Sequence, residues 1–433
     1  MIPFFSIIFY LIASPISYNI YFANLHSHTE FSDGQGTPAE AFTYARDSAK
    51  IDILALTDHT NYLTENTYQY IKAIANRYTE NGRFLALNGQ EFGNLSDFGH
   101  VSIFDAESLC PVQTPDLAET YRWVNQHQLI TQFNHPREGD FNYLTYDFTG
   151  DEYCSTIEVV NGSGDYTVLN EQMYLLALAN GWHIAPVANQ DNHRKKWGDA
   201  TTTEGAIPLT GIWAESLTKT EIINALLNRR VYAMEVKPKT DRIRLKDFSV
   251  DNVIMGSTYR TSNPVVYIHF EVVAETGFSQ IYLYKNGIIY DSVSTQSRDS
   301  IIWYRSDSTG NAYYFIKGIQ LDGDQFWSAP IWVEYQPRIN NLVISPNPLK
   351  TTSKIIISLS TPKPWPIFQI FKITGEKVYD TSTFVHPLII KTQFILSWNG
   401  SDQTGKTLPN GVYLVCVKFN SGESFKAKIA IER

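Results

Sequence analysis

Cysteine is scarce in this chain, with Cys110, Cys154 and Cys416 alone among 433 residues. No two of them have the close spacing of a thiolate metal site, so a zinc-ribbon or zinc-finger protein is excluded. Cys110 and Cys154 could pair, but spacing does not decide it, and all three read as small buried hydrophobes. Basic charge is also in deficit. Lys and Arg number 35 against 44 Asp and Glu, a net charge of -9 with a pI near 5.6. A nucleic-acid-binding surface needs clustered Lys and Arg, so a small or locally captured substrate is expected instead. Long apolar runs are missing after residue 14, which leaves no candidate for a membrane helix. The run Ile2 to Ser14 is uncharged and too short to span a bilayer, and it ends near Ala13, Ser14 and Ser17. Residues 1–18 therefore read as a secretory signal, which implies a secreted, cell-surface or periplasmic protein. The run lacks a Lys or Arg before its apolar core, and a buried first element of the fold is the alternative.

What the chain has is histidine in a particular place. At 433 residues it is too long for one ordinary domain, and about three are expected. Through residue 235, strand-like runs alternate with helix-like ones, which predicts a parallel α/β domain over 19–235. Thr37-Pro38-Ala39-Glu40 carries an N-cap, a proline at the first helical position and a capping-box glutamate, so a helix runs from there to about Lys50. Strands are expected at Asn19 to Leu25, Ile51 to Leu56, Phe84 to Leu87, Phe98 to Phe104, Leu129 to Phe133, Ser155 to Val160, Ile184 to Ala188 and Gly211 to Ala214. Helices are expected near 68–78, 115–127, 168–180 and 220–230. From about Val236 the pattern changes to period two with turns at Asn286-Gly287 and Asp322-Gly323, an all-β sandwich over 236–336. A break at Tyr335-Gln336-Pro337-Arg338 opens a second β domain over 337–433.

Eight of the ten histidines precede residue 194, and six lie at or beside expected strand ends: His26, His28, His59, His100, His135 and His193. His26-Ser27-His28 at the end of a strand puts both imidazoles on one face, because side chains alternate with period two. Asp33, Asp58, Glu91 and Asp191 accompany them. An imidazole and carboxylate set suits Zn, Mn or Fe, and the ligands outnumber one coordination sphere, so two or three divalent ions are implied. Glu91 is the natural bridge between two of them. His127 and His183 fall inside a helix and at a strand start and read as packing or surface residues. His269 and His386 lie in the β domains without evident partners.

These residues together resemble the polymerase and histidinol phosphatase (PHP) superfamily over about residues 20–235. The matching motifs are His26-Ser27-His28 with Ser32-Asp33-Gly34, Thr57-Asp58-His59, Glu91, His100, Asn134-His135-Pro136 and Asp191-Asn192-His193. The resemblance implies a distorted seven-stranded α/β barrel carrying up to three metal ions, followed here by the two β sandwiches. It assigns His26, His28, Glu91 and Asp191 to a first metal, Glu91, His100 and His135 to a second, and Asp33, His59 and His193 to a third. It also places Asp58 behind His59 as an orienting group, with a helix N-cap as the alternative.

Gly211-Ile212-Trp213-Ala214-Glu215-Ser216, Arg229-Arg230-Val231-Tyr232-Ala233 and Trp327 to Val333 look like the branch that includes the carbaryl hydrolase. Residues Ser345-Pro346-Asn347-Pro348, Gly375-Glu376-Lys377-Val378, Trp398-Asn399-Gly400 and Asn410-Gly411-Val412-Tyr413 are similar to immunoglobulin-like modules of type IX secretion cargo and of the flagellar hook-capping protein. That likeness implies a sorting domain recognised by secretion machinery, with a purely structural appendage as the alternative.

The expected function is an exported multinuclear hydrolase, a phosphoesterase in which Glu91, Asp191 and His135 are catalytic through metal-activated water. Arg137 and Arg194, which follow His135-Pro136 and His193, would neutralise a substrate phosphate, or serve as surface ion-pair residues. A carboxyl-ester, carbamate or amide hydrolase is one alternative. A secreted binding protein with a non-catalytic metal-bound barrel is another. The expected partner is a small-molecule ester.

Overall fold

The computed structural model describes residues 18–94, 98–111, 116–163, 166–237, 242–295, 299–336, 342–384, 391–420 and 422–433. The stretch read as a secretory signal lies outside them but for Tyr18, as do Pro337 and Arg338 of the expected break and His386. The chain forms two compact units, one made of residues 1–259, 266–307 and 311–333, the other of Arg260–Val265, Ser308–Gly310 and Glu334–Arg433.

The first unit begins with β1 (Asn19–Asn24), followed by the helix Pro38–Tyr44. The Thr37 hydroxyl accepts the Glu40 N–H while the Glu40 carboxylate accepts the Thr37 N–H, so both otherwise unpaired donors at the helix start are satisfied. The helix continues into a wider turn, Ala45–Ala49, and stops where Lys50 turns left-handed at φ 55°. β2 (Ile53–Leu56) is buried at every position, as expected of a strand covered on both faces. β3 is Leu85–Asn94, β4 Gly99–Phe104, β5 Thr131–Asn134, β6 Cys154–Ser163, β7 Tyr166–Leu169, β8 Ala185–Asn189, β9 Ile207–Ala214 and β10 Val231–Val236.

Pairing departs from the wholly parallel sheet expected. β1 with β2, β2 with β3, β5 with β6, and β6 with β8 are parallel. β4 runs antiparallel to both β3 and β5. Only a few residues join β3 to β4, too few for the crossover that parallel neighbours need. β9 is antiparallel to β1 and to β10. Two boundaries also move. Glu91 lies inside β3 rather than past its end, because Asn88 and Gln90, which read as loop residues, are fully buried within the strand. Val168, expected to begin a helix, belongs to β7, which folds back on β6, and the helix starts at Glu171.

Beyond their last residues, β1 and β8 approach each other. Ser27 bridges Asn192 in parallel, and the His28 N–H donates to the Asn192 carbonyl at 3.0 Å. β10 also pairs with Gln325–Ser328, so one sheet and one apolar core run on through residue 236.

The second unit contains two sheets around its own core of Leu349, Ile355, Phe368, Trp398, Val415 and Ile429, among others. One sheet pairs Leu342–Ser345, Ser353–Lys363 and Lys391–Trp398, and the other runs Lys377–Asp380, Ile367–Lys372, Gly411–Lys418, Ser424–Ile431. All three cysteines are buried and none forms a disulfide. Cys154 accepts a hydrogen bond from Thr131 Oγ1 at 2.9 Å, and burial pushes its thiol pKa up to about 12, so it is inert.

Candidate metal centre

Parallel strands that start at one end of a sheet finish together at the other, so residues just past β1, β2, β5 and β8 share a rim. His26 and His28 follow β1, His59 follows β2, His135 follows β5, and Asp191 and His193 follow β8. His100 reaches the same rim from the beginning of β4, since β4 runs the opposite way, with His100 opposite Asn134. Glu91 enters from within β3, and Gly93 of that strand faces His100.

Glu91 is the hub. Its Oε2 lies 3.2 Å from His26 Nε2, 3.2 Å from His28 Nε2 and 3.1 Å from His59 Nδ1. Its Oε1 lies 3.0 Å from His100 Nδ1 and 3.2 Å from His135 Nε2, and accepts the Asn134 side-chain N–H at 2.9 Å. Asp191 Oδ1 stands 3.1 Å from His28 Nε2 and 3.4 Å from His26 Nε2. Asp33 Oδ1 is 3.2 Å from His193 Nε2, 3.8 Å from His59 Nε2 and 4.0 Å from His28 Nδ1.

Four ligand-sized groups result: His28, Asp33, His59 and His193; His26, His28 and Asp191; His26, Glu91 and His135; His59, Glu91 and His100. All nine residues assigned to metal thus lie in one connected cluster. The nearest carboxylate to His59 is Glu91, not Asp33. Exposure rises outward, from fully buried His26 to Asp33 and His193, whose side chains are 41% and 36% exposed and form the mouth. Arg137 and Arg194 are solvent-exposed, each two residues or fewer past a clustered histidine.

The donor set fits cations. Glu91 Oε2 and His100 Nδ1 are buried without a hydrogen bond. His26 Nε2 and His28 Nε2 point at each other over 3.2 Å, and the His28 and His193 rings stack at 4.2 Å. So many lone pairs converging on one buried carboxylate are costly unless positive charge sits among them. In the metal-free chain protons supply it. Burial opposes charging of His28, but Asp191 and Glu91 outweigh it and push its pKa up to about 10. His26 moves well upward for the same reasons, with Glu158 contributing. Burial brings His59 down to about 4, with His28 and His100 adding to it against Glu91. Burial also works against the charged forms of Glu91 and Asp191, yet the imidazoles around them, His26 foremost, hold both carboxyls far below the usual range.

One role differs from expectation. Asp58 does not bond His59. Its Oδ1 accepts the Thr29 N–H at 2.7 Å and the Ser32 hydroxyl at 2.6 Å, and its Oδ2 accepts the Thr29 hydroxyl at 2.8 Å. It therefore holds the loop after His28, which lies beside it in space, rather than its sequence neighbour.

The residue that sequence reasoning missed is Glu158, fully buried inside β6. Its Oε1 meets His26 Nδ1 at 2.9 Å and accepts from Asn189 at 3.0 Å and Gln132 at 3.2 Å. Its Oε2 accepts the His135 N–H and the Asn161 amide, both at 2.7 Å. A glutamate in an otherwise apolar strand, Ile157-Glu158-Val159-Val160, was the signal available. His183 and His127 stand outside the cluster: His183 pairs with Asp151 at 2.8 Å, and His127 bonds the Trp123 carbonyl at 2.8 Å.

No family model matches the chain. Among curated proteins it is 22% identical over 362 residues to an uncharacterized protein of Chlamydia trachomatis, covering 72% of this chain and 56% of that protein. It is also 22% identical over 365 residues to an uncharacterized protein of Chlamydia pneumoniae, covering 73% and 57%. The chain thus spans a little over half the length of these relatives. Among solved structures it is similar to a two-domain protein from Bacteroides vulgatus described as containing a predicted PHP-like metal-dependent phosphoesterase. That likeness has 14% identity, 73% of this chain and 95% of that one, and a TM-score of 0.44. It is also similar to PorZ, a surface component of the type-IX secretion system of Porphyromonas gingivalis, at 13% identity, 52% and 37% coverage and a TM-score of 0.17.

Proposed function

We propose that this chain is an exported metal-dependent hydrolase that cleaves phosphoesters. The observation that carries the reading is the division of five imidazoles between the two oxygens of the buried Glu91, three on Oε2 and two on Oε1. His26, His28, Glu91 and Asp191 would hold one ion, Glu91, His100 and His135 a second, and Asp33, His59 and His193 a third. Two or three divalent ions of Zn, Mn or Fe would acidify water and offset the negative charge that builds on the substrate.

The chain's own residues prepare the site for this. Glu158 accepts a hydrogen bond from His26 Nδ1–H, which leaves Nε2 as the lone pair facing Glu91 and Asp191. Asn134 donates to Glu91 Oε1 and to Ser102 Oγ, fixing the carboxylate plane. Arg137 and Arg194, exposed near the mouth, would bind the substrate phosphate. The contact between the ends of β1 and β8 supports closing β1, β2, β3, β4, β5, β6 and β8 into the seven-stranded barrel. Residues 19–235 would then be the metal-bearing domain, with sandwiches over 236–336 and 337–433 and a sorting role for the last.

The test is a panel of phosphomono-, phosphodi- and carboxyl-ester substrates with Mn or Zn added, alongside elemental analysis. Phosphoester turnover with more than one ion per chain is expected. Turnover of carboxyl esters alone would move the reading to the carbaryl-hydrolase-like branch. At most one ion, or no turnover across the panel, would overturn it.

A further inference from the structure

Charge is divided unevenly along the chain. Residues 337–433 carry twelve Lys and Arg against five Asp and Glu, a formal +7, which leaves -16 for residues 1–336. Such an asymmetry points to an anionic partner for the basic part.

Part of that charge sits on one surface of the second unit. The strands Gly411–Lys418 and Ser424–Ile431 pair with Leu414 opposite Lys428, Cys416 opposite Lys426 and Lys418 opposite Ser424. Tyr413, Val415, Val417, Ile429 and Ile431 alternate inward to the core. Lys418, Lys426 and Lys428 therefore stand together on the outer face, and all three are exposed. Three other lysines of this unit have carboxylate partners, Lys363 with Glu423, Lys372 with Glu376 and Lys377 with Asp380. Lys418, Lys426 and Lys428 form no ion pair among the described residues. With Ile373, Val412 and Leu414 they line an open groove of about 520 Å³.

Lysines on an edge strand also discourage strand-to-strand aggregation. That role gives no reason for Ile373 at 81% exposure and Val412 at 46% to stand beside them. Basic side chains interleaved with exposed apolar ones match a surface with anionic headgroups over hydrocarbon, and a soluble polyanion would need only the charges. We propose that this outer face seats the second unit on a bilayer bearing anionic phospholipids. Lys418, Lys426 and Lys428 meet the phosphates while Ile373 and Val412 enter the headgroup layer. The proposal is independent of the hydrolase reading.

The experiment is vesicle flotation of the full chain with phosphatidylcholine alone and with phosphatidylglycerol at about a third of the lipid. Binding is expected only with phosphatidylglycerol and should fade as NaCl rises toward about 0.5 M. Lys418→Gln/Lys426→Gln/Lys428→Gln should weaken partition by about a hundredfold. Lys350→Gln/Lys354→Gln/Lys406→Gln removes the same charge from other exposed positions and should change it by less than about threefold. Circular dichroism of both variants verifies that they fold. Absence of binding by the parent chain would overturn the proposal, as would equal losses in the two triple variants. Parent-like vesicle binding by Ile373→Ser/Val412→Ser, together with equal affinity for soluble heparin, would replace the bilayer with a soluble polyanion.

Discussion

The β1 to β8 region and the second unit are both built on strands over apolar cores, yet they treat ionisable side chains in opposite ways. In the second unit acidic groups pair at the surface, as in Lys372–Glu376 and Lys377–Asp380. Exposed pairs of this kind contribute at most about 1 kcal/mol. In the first region Glu91 and Glu158 are buried, Asp191 nearly so, and each meets at least one imidazole. Burying a carboxylate costs several kcal/mol, roughly, and is tolerated only when opposite charge and hydrogen bonds replace water. A strand face can spread charge into solvent, whereas a cluster of strand ends concentrates it, and concentration is what cation binding requires.

The sharpest way to break that contrast is Glu91→Gln, which keeps the shape and removes the charge at the hub. Hydrolysis and metal content should both fall, activity by orders of magnitude. Retained activity with normal metal content by elemental analysis would mean that Glu91 is only one more buried polar residue. Asp191→Asn should act in the same direction.

Glu158→Gln tests whether the ring around the ligands matters as much as the ligands. Without a carboxylate at Nδ1, His26 loses its fixed orientation, and metal affinity should drop about 10- to 100-fold in chelator competition. The alanine variant should unfold more readily as well, since it strands the His135 N–H and the Asn161 and Asn189 amides.

Asp324 offers a case between the two regimes. Burial, with help from Asp322, raises its pKa to about 6 against an ordinary 3.8, despite the Lys237 N–H it accepts. The folded state therefore binds the extra proton between those values, and the associated stability is present below pH 3.8 and lost as pH rises through 6. The difference in melting temperature between the parent chain and Asp324→Asn should change over that window and be flat above it. A difference that does not vary with pH would show Asp324 to be charged throughout.

The smallest effects belong to side chains outside the cluster. Glu376→Ala should cost less than about 1 kcal/mol by denaturant titration. His127→Gln should leave hydrolysis of the best substrate at the parent level, as should His183→Gln, although the latter gives up the Asp151 pair.

Much of the site was legible because it is written in strand ends. His26-Ser27-His28, His59, His135 and His193 each follow an apolar run, and period-two alternation alone puts His26 and His28 on one face. Glu91 was legible as a residue but not as a place. Buried Asn88 and Gln90 disguised the strand around it, and they are tolerable there only because Tyr68 and Cys110 supply bonds from elsewhere in the chain. The antiparallel β4 was hidden for a different reason, since hydrophobic pattern carries no direction, and the short β3–β4 connection was the only clue.

By itself the sequence determined the chemistry available: which side chains carry lone pairs, and at which strand ends they emerge. Only the tertiary structure decided their partnerships. Glu158 serves His26 across 132 residues, and Asp58 serves the loop at Thr29 and Ser32 rather than the adjacent His59. Local pattern reports on neighbours along the chain, whereas a buried carboxylate takes whichever donors strand register brings within hydrogen-bond reach.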